Sequence, residues 1–240
     1  MNLISQSQIN LYRICPHAYE LKYRYNCEPM MFDPLVTEVG KKVHEVIDIY
    51  YKHYYNSTYR KEEIKNITYN ILRNQWDTML PASLLKKAYL CICNFAKFES
   101  ENNGKLATKP LTEVKIYSED LMGIVDYLDL NKQKAIDFKT NARAGISRNY
   151  KLQAIMYQKL IKDRFNINIE KFGFQFLYVD DYKEVSLYDP KLKEIAEELI
   201  LNKDRIKESW QTMIFPKNPE DKSYCRRCEY RFYCEGIEER

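Results

Sequence analysis

The centre of the chain holds residues whose types and spacing suit metal-assisted hydrolysis. Asp126 closes the segment GIVD, and Asp137, Phe138 and Lys139 follow across the turn-forming residues around Asn131. Two adjacent strands joined by that turn would bring both carboxylates and the amine together. Alternate side chains of a strand share a face, so Asp137 and Lys139 point one way and Phe138 points into the opposite layer. Mg²⁺ or Mn²⁺ prefers hard oxygen ligands. Asp126, Asp137 and the Phe138 carbonyl are therefore candidate ligands for one or two ions that polarise a phosphodiester and supply a hydroxide. Lys139 would orient that water or offset developing negative charge. Glu113, on the preceding strand, is a candidate extra ligand or water-mediated partner. Asp129 has the right type, but its odd spacing from Asp126 puts it on the other face. The competing reading of D-x-K is a solvated ion pair on a strand edge.

Other residues join this centre from helices. Gln153 and Tyr157 are four apart on the helix that follows and share one face, where they could touch the lysine or a DNA phosphate. His44 lies on an earlier helix and could add an imidazole ligand, which would favour Mn²⁺ over Mg²⁺.

A second constellation is made of thiols. Cys225, Cys228 and Cys234 form a C-x₂-C-x₅-C array, which can close three corners of a four-iron, four-sulfur cluster or of a zinc site. Cys15, far upstream in RICPHAY, is the best fourth ligand and Cys27 the runner-up; a site closed by Cys15 would staple the chain ends across a very long loop. Spacing alone leaves iron–sulfur and zinc both open. Lys222, Arg226, Arg227 and Arg231 among these cysteines are either a solvated face or phosphate contacts. Cys91 and Cys93, in a helical stretch, read as ordinary buried thiols.

The elements that must position these groups follow from periodicity. Ser5 to Tyr25 has helical spacing broken near Cys15 by Pro16, giving two short helices with Ser5 or Ser7 as N-cap. A loop from Cys27 to Pro34 precedes a helix from about Leu35 to Tyr55, read from Val36, Val39, Val43, Val46, Ile47 and Tyr50. Helices over Lys61–Met79 and Pro81–Glu101 follow, ended by Asn102, Asn103 and Gly104. Strands are expected over Leu111–Tyr117, Leu121–Leu130 and Lys134–Phe138, a helix over Tyr150–Phe165, strands over Lys171–Val179 and Lys183–Leu187, and a last helix over Pro190–Trp210. The fold class is α/β: a helical region about 35–104, a small mixed sheet flanked by helices over about 105–212, and a cysteine-rich end over 213–240 closed by Cys15, all in one domain.

Composition narrows the setting. The 240 residues carry 38 Lys and Arg against 34 Asp and Glu, so 38 − 34 = +4, which permits a polyanionic partner without requiring one. No apolar run reaches the roughly 20 residues needed to cross a bilayer, and the start lacks a signal-peptide pattern, so a cytoplasmic protein with no membrane partner is expected. Seven cysteines in such a chain should be mostly reduced thiols. No Walker-type G-x-x-x-x-G-K-[ST] occurs, so no ATP motor is expected in this chain.

The order of motifs carries a resemblance: S-x-S, C-P-x-x-Y, G-x-x-x-H, Glu113, G-I-V-D, D-F-K-T, Q-x-x-x-Y and C-x₂-C-x₅-C. The chain resembles the RecB-like branch of the PD-(D/E)XK nucleases. Its one early and three late cysteines are similar to those of the iron–sulfur nucleases, including the CRISPR-associated Cas-four family and the nuclease domains of AddB-type helicase–nucleases. The resemblance implies a restriction-endonuclease-like core and metal binding by His44, Asp126 and Asp137. It implies catalytic support by Lys139, with motif roles for Gln153 and Tyr157 and a less fixed one for Glu113. It further implies a 4Fe-4S cluster on Cys15, Cys225, Cys228 and Cys234, and cleavage of mainly single-stranded DNA from a 5′ end. CRISPR adaptation or viral and phage recombination and repair are the implied settings, with the proteins of those pathways as partners. The alternative is a catalytically silent DNA-binding or assembly module with a structural zinc or iron–sulfur site.

Overall fold

A computed structural model describes residues 3–30, 34–77, 79–102, 109–217 and 222–235, with backbone only at 34–36, 222–223 and 235. Residues 31–33 of the loop after Cys27, the stop signals Asn103 and Gly104, and the side chains of Val36 and Lys222 lie outside the described residues.

The first two helices are divided where proline demands it. Helix α1 (Gln6–Ile14) starts at Ser5, whose hydroxyl accepts from the Gln8 N–H, and α2 (Pro16–Tyr23) carries Pro16 at its first turn. The residue before a proline avoids the helical region, and Cys15 accordingly adopts φ −158°, ψ 110°. Its thiol therefore sits at a corner between two helices.

Helices α3 (Pro34–Ile49), α4 (Lys61–Gln75) and α5 (Ala82–Asn102) form a layer whose buried residues include Val39, Val43, Val46, Leu72, Ile92 and Phe95. The helix expected to run on to Tyr55 instead leaves the α geometry at Tyr50 and makes a π-helical turn over Tyr50–Tyr54. The wider turn lets consecutive tyrosines, Tyr50 and Tyr51, both be buried. Helix α4 stops four residues short of its expected end, because Trp76 is extended and Asp77 organises a turn through the Met79 and Leu80 N–H groups.

The sheet has five strands in sequential order, β1 (Leu111–Tyr117), β2 (Met122–Asp129), β3 (Lys134–Lys139), β4 (Lys171–Phe176) and β5 (Asp181–Ser186). All neighbours are antiparallel except β3 and β4, which run parallel and are joined through helix α6 (Arg148–Phe165). Strand β4 ends before its expected limit at Val179 because residues 177–180 turn, with Asp180 at φ 54°. One face meets the α3–α5 layer through Tyr127, Ile136 and Phe138. The other meets α6, α1 and α7 (Lys193–Thr212) through Ala135, Phe172, Phe174 and Phe176. This is the expected α/β sandwich with a small mixed sheet. The three residues before α7 form a 3₁₀ turn, and the cysteine-bearing end holds two short helices, α8 (Lys222–Cys225) and α9 (Arg231–Glu235). Among the described residues, no helix is long and apolar enough to cross a membrane.

Alternation along the first two strands slips once. Thr112 bonds Asp48 of α3, yet Val114, two residues on, packs on the α6 side; opposite them Tyr127 and Val125 divide the same way. The residue at the slip is Glu113, whose φ of 47° is left-handed.

Candidate metal centre and cysteine cluster

Each carboxylate of the centre is set by strand register. Tyr127 pairs with Ile136, which puts Asp126 and Asp137 next in line on neighbouring strands, and the slip at Glu113 lies opposite Asp126 on the other side. The Phe138 N–H donates to Asp126 Oδ2 at 2.7 Å, while the Phe138 ring is buried in the opposite layer against Phe95 and Phe98. His44 reaches in from α3, its Nδ1 3.3 Å from Glu113 Oε1 and 3.4 Å from Asp126 Oδ2. One ligand atom each from His44, Glu113 and Asp126 lies within 4.8 Å of the others.

Asp137 is held differently. Its Oδ2 lies 2.6 Å from the Lys139 ammonium and its Oδ1 accepts from Gln153 Nε2 at 2.6 Å; Lys139 also donates to Gln153 Oε1 at 3.2 Å. Gln153 thus reads both members of the D-x-K pair from α6. Tyr157, one turn further along α6, lies on Gly123 of the GIVD segment: a Cβ there would stand 2.6 Å from the Tyr157 ring. The glycine is what lets the helix approach this strand. Asp129 faces away and accepts the Asn131 and Lys132 N–H groups, closing the β2–β3 turn.

Electrostatics follow from titratable groups packed closely together, Asp126, Asp137, Glu113, His44, Lys139 and Tyr157. Burial pushes the Asp137 carboxyl up to about 6, reinforced by Asp126 and opposed by Lys139 and His44. Burial disfavours the imidazolium of His44, but Asp126, Glu113 and Asp137 outweigh it and hold the group well above its ordinary value. Burial likewise opposes the charge on Lys139, and Asp137 more than restores it. Burial and the nearby Asp137 charge raise the Tyr157 phenol.

The donor set fits a small divalent cation. The carboxylates of Glu113 and Asp126 converge with the His44 imidazole, and the Asp137 carboxylate stands beside Asp126 on the neighbouring strand, paired with the Lys139 ammonium. Sequence reasoning missed two groups here. Tyr150 and Phe174 present their rings to Lys139, with the ammonium 4.8 Å and 5.8 Å from the ring centroids. The only signal was an aromatic residue three before Gln153, on the helix face it shares.

The seven cysteines are free thiols. Cys15, Cys27, Cys228 and Cys234 pack in one small cluster with Ala18, Leu21 and Tyr230, while Cys225 is exposed. Burial raises the Cys228 thiol, with Cys15 and Cys234 adding to the rise. Backbone bonds already tie the ends together: His17 N–H to the Pro216 carbonyl and Met30 N–H to the Glu229 carbonyl. Three of the four expected ligands, Cys15, Cys228 and Cys234, are brought together with Cys27, and Cys225, the last residue of α8, is exposed. Arg226, Arg227 and Arg231 are exposed beside it. Cys91 is fully buried, its thiol pushed up to about 12 by desolvation, and Cys93 is half-buried.

Compared with known families, residues 3–235 match the model of the PD-(D/E)XK nuclease superfamily. No curated protein matches the chain.

Proposed function

Since the chain belongs to the PD-(D/E)XK nuclease superfamily, we propose that it is a metal-dependent DNA nuclease whose working residues are those around Asp126, Asp137 and Lys139. The observation that carries this reading is the convergence of His44, Glu113 and Asp126 beside an Asp137–Lys139 pair. His44, Glu113, Asp126, Asp137 and the Phe138 carbonyl would hold the ion. A bound Mg²⁺ or Mn²⁺ supplies Lewis acidity at the phosphate and an acidified water.

The chain's own groups do the rest. Lys139 offsets the negative charge that develops on the phosphate oxygens. Gln153 keeps that ammonium and the Asp137 carboxylate in fixed relation, and Tyr157 seats the helix that carries it. The Phe138 N–H fixes the Asp126 rotamer, so both aspartates are aimed before any ion arrives. Burial and the neighbouring Asp126 charge raise the Asp137 carboxyl above the usual carboxylate range, so metal affinity should weaken under mildly acid conditions as that group is protonated.

The resemblance further supports single-stranded DNA as substrate with a 5′ end preference, and a 4Fe-4S cluster on Cys15, Cys225, Cys228 and Cys234, with zinc as the alternative metal and Cys27 as the alternative ligand. CRISPR adaptation or phage recombination and repair fits such an activity. The test is a cleavage assay on 5′- and 3′-labelled single strands with Mn²⁺, Mg²⁺ or chelator, on protein purified without oxygen and analysed for iron, sulfide and zinc. A metal-replete sample that cuts no DNA sinks the nuclease reading. Zinc without sulfide sinks the iron–sulfur one.

A further inference from the structure

Lys139 is held by more than its acidic partner, and the additional hold has a specific form. Its ammonium lies 4.8 Å from the centroid of the Tyr150 ring, which is itself stacked on Phe174 with centroids 5.1 Å apart and planes 29° apart. The Tyr150 hydroxyl is anchored from the other side, accepting from Asn141 Nδ2 at 3.1 Å. Asn141 belongs to the segment that leaves β3 directly after Lys139, so loop, strand and helix meet on one aromatic ring. Phe174 comes from β4, parallel to β3, and pairs with Asp137 in register.

We propose that Tyr150 is a positioning residue for Lys139: its ring face keeps the ammonium in place when the Asp137 carboxylate is shared with a cation. The inference rests on the nuclease reading above for what Lys139 does, and on geometry for where it sits. In the metal-free protein Asp137 is the nearest partner of Lys139, at 2.6 Å. A cation bound by Asp137 withdraws part of that attraction and adds a like charge nearby. The Gln153 oxygen and the aromatic faces are the contacts that do not compete for metal. A ring quadrupole attracts an ammonium without neutralising it, which leaves the full positive charge for the phosphate. Leucine at 150 would preserve apolar packing on Phe174 but remove this attraction; phenylalanine would preserve both and lose only the Asn141 bond.

The test uses the full chain and two variants, Tyr150→Phe and Tyr150→Leu. In metal-free protein, the Lys139 Cε protons should be displaced upfield by the ring current in the parent and in Tyr150→Phe, and return toward ordinary lysine positions in Tyr150→Leu. With Mn²⁺ and labelled DNA, Tyr150→Phe should keep kcat within about twofold, and Tyr150→Leu should lose about tenfold in kcat with KM nearly unchanged. Unshifted lysine protons in the parent, full kcat in Tyr150→Leu, or equal losses in both variants would each overturn the proposal. Should Tyr150→Leu fail to fold, Tyr150→Met gives the same comparison, in which only the more distant Phe174 ring remains near the ammonium. A parent protein that cuts no DNA would refute the nuclease reading, while the proton shifts would still decide where the ring holds Lys139.

Discussion

The carboxylate–lysine centre and the cysteine cluster are built on opposite principles. The centre is aimed by the sheet: Asp126 and Asp137 are fixed by strand pairing, the Phe138 N–H, Gln153 and Lys139, and they sit between two extensive apolar clusters. Of the late cysteines, Cys225 and Cys234 lie on helices of four and five residues, and the cluster around the thiols has only Ala18, Leu21 and Tyr230 as its buried members. Short helices are not stable by themselves. The first region is pre-organised by the fold, and the second has little of its own to hold it, so a metal on its thiols, as proposed above, would complete it.

If that contrast is right, the largest effect separates activity from folding. Asp137→Asn should lower DNA cleavage by about a thousandfold or more while leaving the thermal midpoint within a few degrees, checked by a labelled-strand assay beside calorimetry. The reverse pattern is expected at the other end. Cys228→Ser should lower the thermal midpoint by roughly 10 °C and open residues 222–235 to proteolysis before the sheet, because binding free energy at such a site is folding free energy. Chelating Mg²⁺ or Mn²⁺ should move the midpoint far less than stripping the iron or zinc proposed for the cysteines. A cysteine variant that stays fully stable would erase the distinction.

The helical layer behind the centre sharpens it further. Glu99 of α5 is fully buried, accepts from the Tyr51 hydroxyl, and has its carboxyl raised to about 7 by desolvation. An acid raised by folding is protonated in the native state where the unfolded chain is already ionised. Stability therefore declines as pH climbs from about 4.5 to 7 and stays lowered above it. Glu99→Gln should flatten that decline and stabilise the protein at pH 8 by up to about 3 kcal/mol, read from urea unfolding at pH 5 and pH 8. The smallest effect is expected at Gly123→Ala, where the added methyl meets the Tyr157 ring. It should cost about 2 kcal/mol and reduce cleavage by displacing Gln153, so an alanine variant with parental stability would show that α6 can shift without consequence.

Much of the centre could be read in the sequence because it follows the two simple periods of secondary structure. Asp137 and Lys139 share a face by the period of a strand, Gln153 and Tyr157 by that of a helix, and Pro16 divides α1 from α2 at Cys15. What escaped reading breaks those periods or lies across space. The π turn at Tyr50–Tyr54 and the left-handed Glu113 each interrupt an alternation that pattern reasoning assumes. Tyr150 and Phe174 meet Lys139 from a helix and a strand that only the parallel β3–β4 pairing brings together. Helix and strand ends moved by several residues where a polar turn, as at Asp77 or Asp180, outweighed apolar continuity.

The slip at Glu113 also has a mechanical meaning. On one side of it β1 is anchored to the α3 layer through Thr112, and on the other to the α6 layer through Val114 and Ile116. The strand works as a seam stitched alternately into two fabrics. A load pulling on its Leu111 end would strain both layers together, and the stitch shared by them is the residue that faces His44.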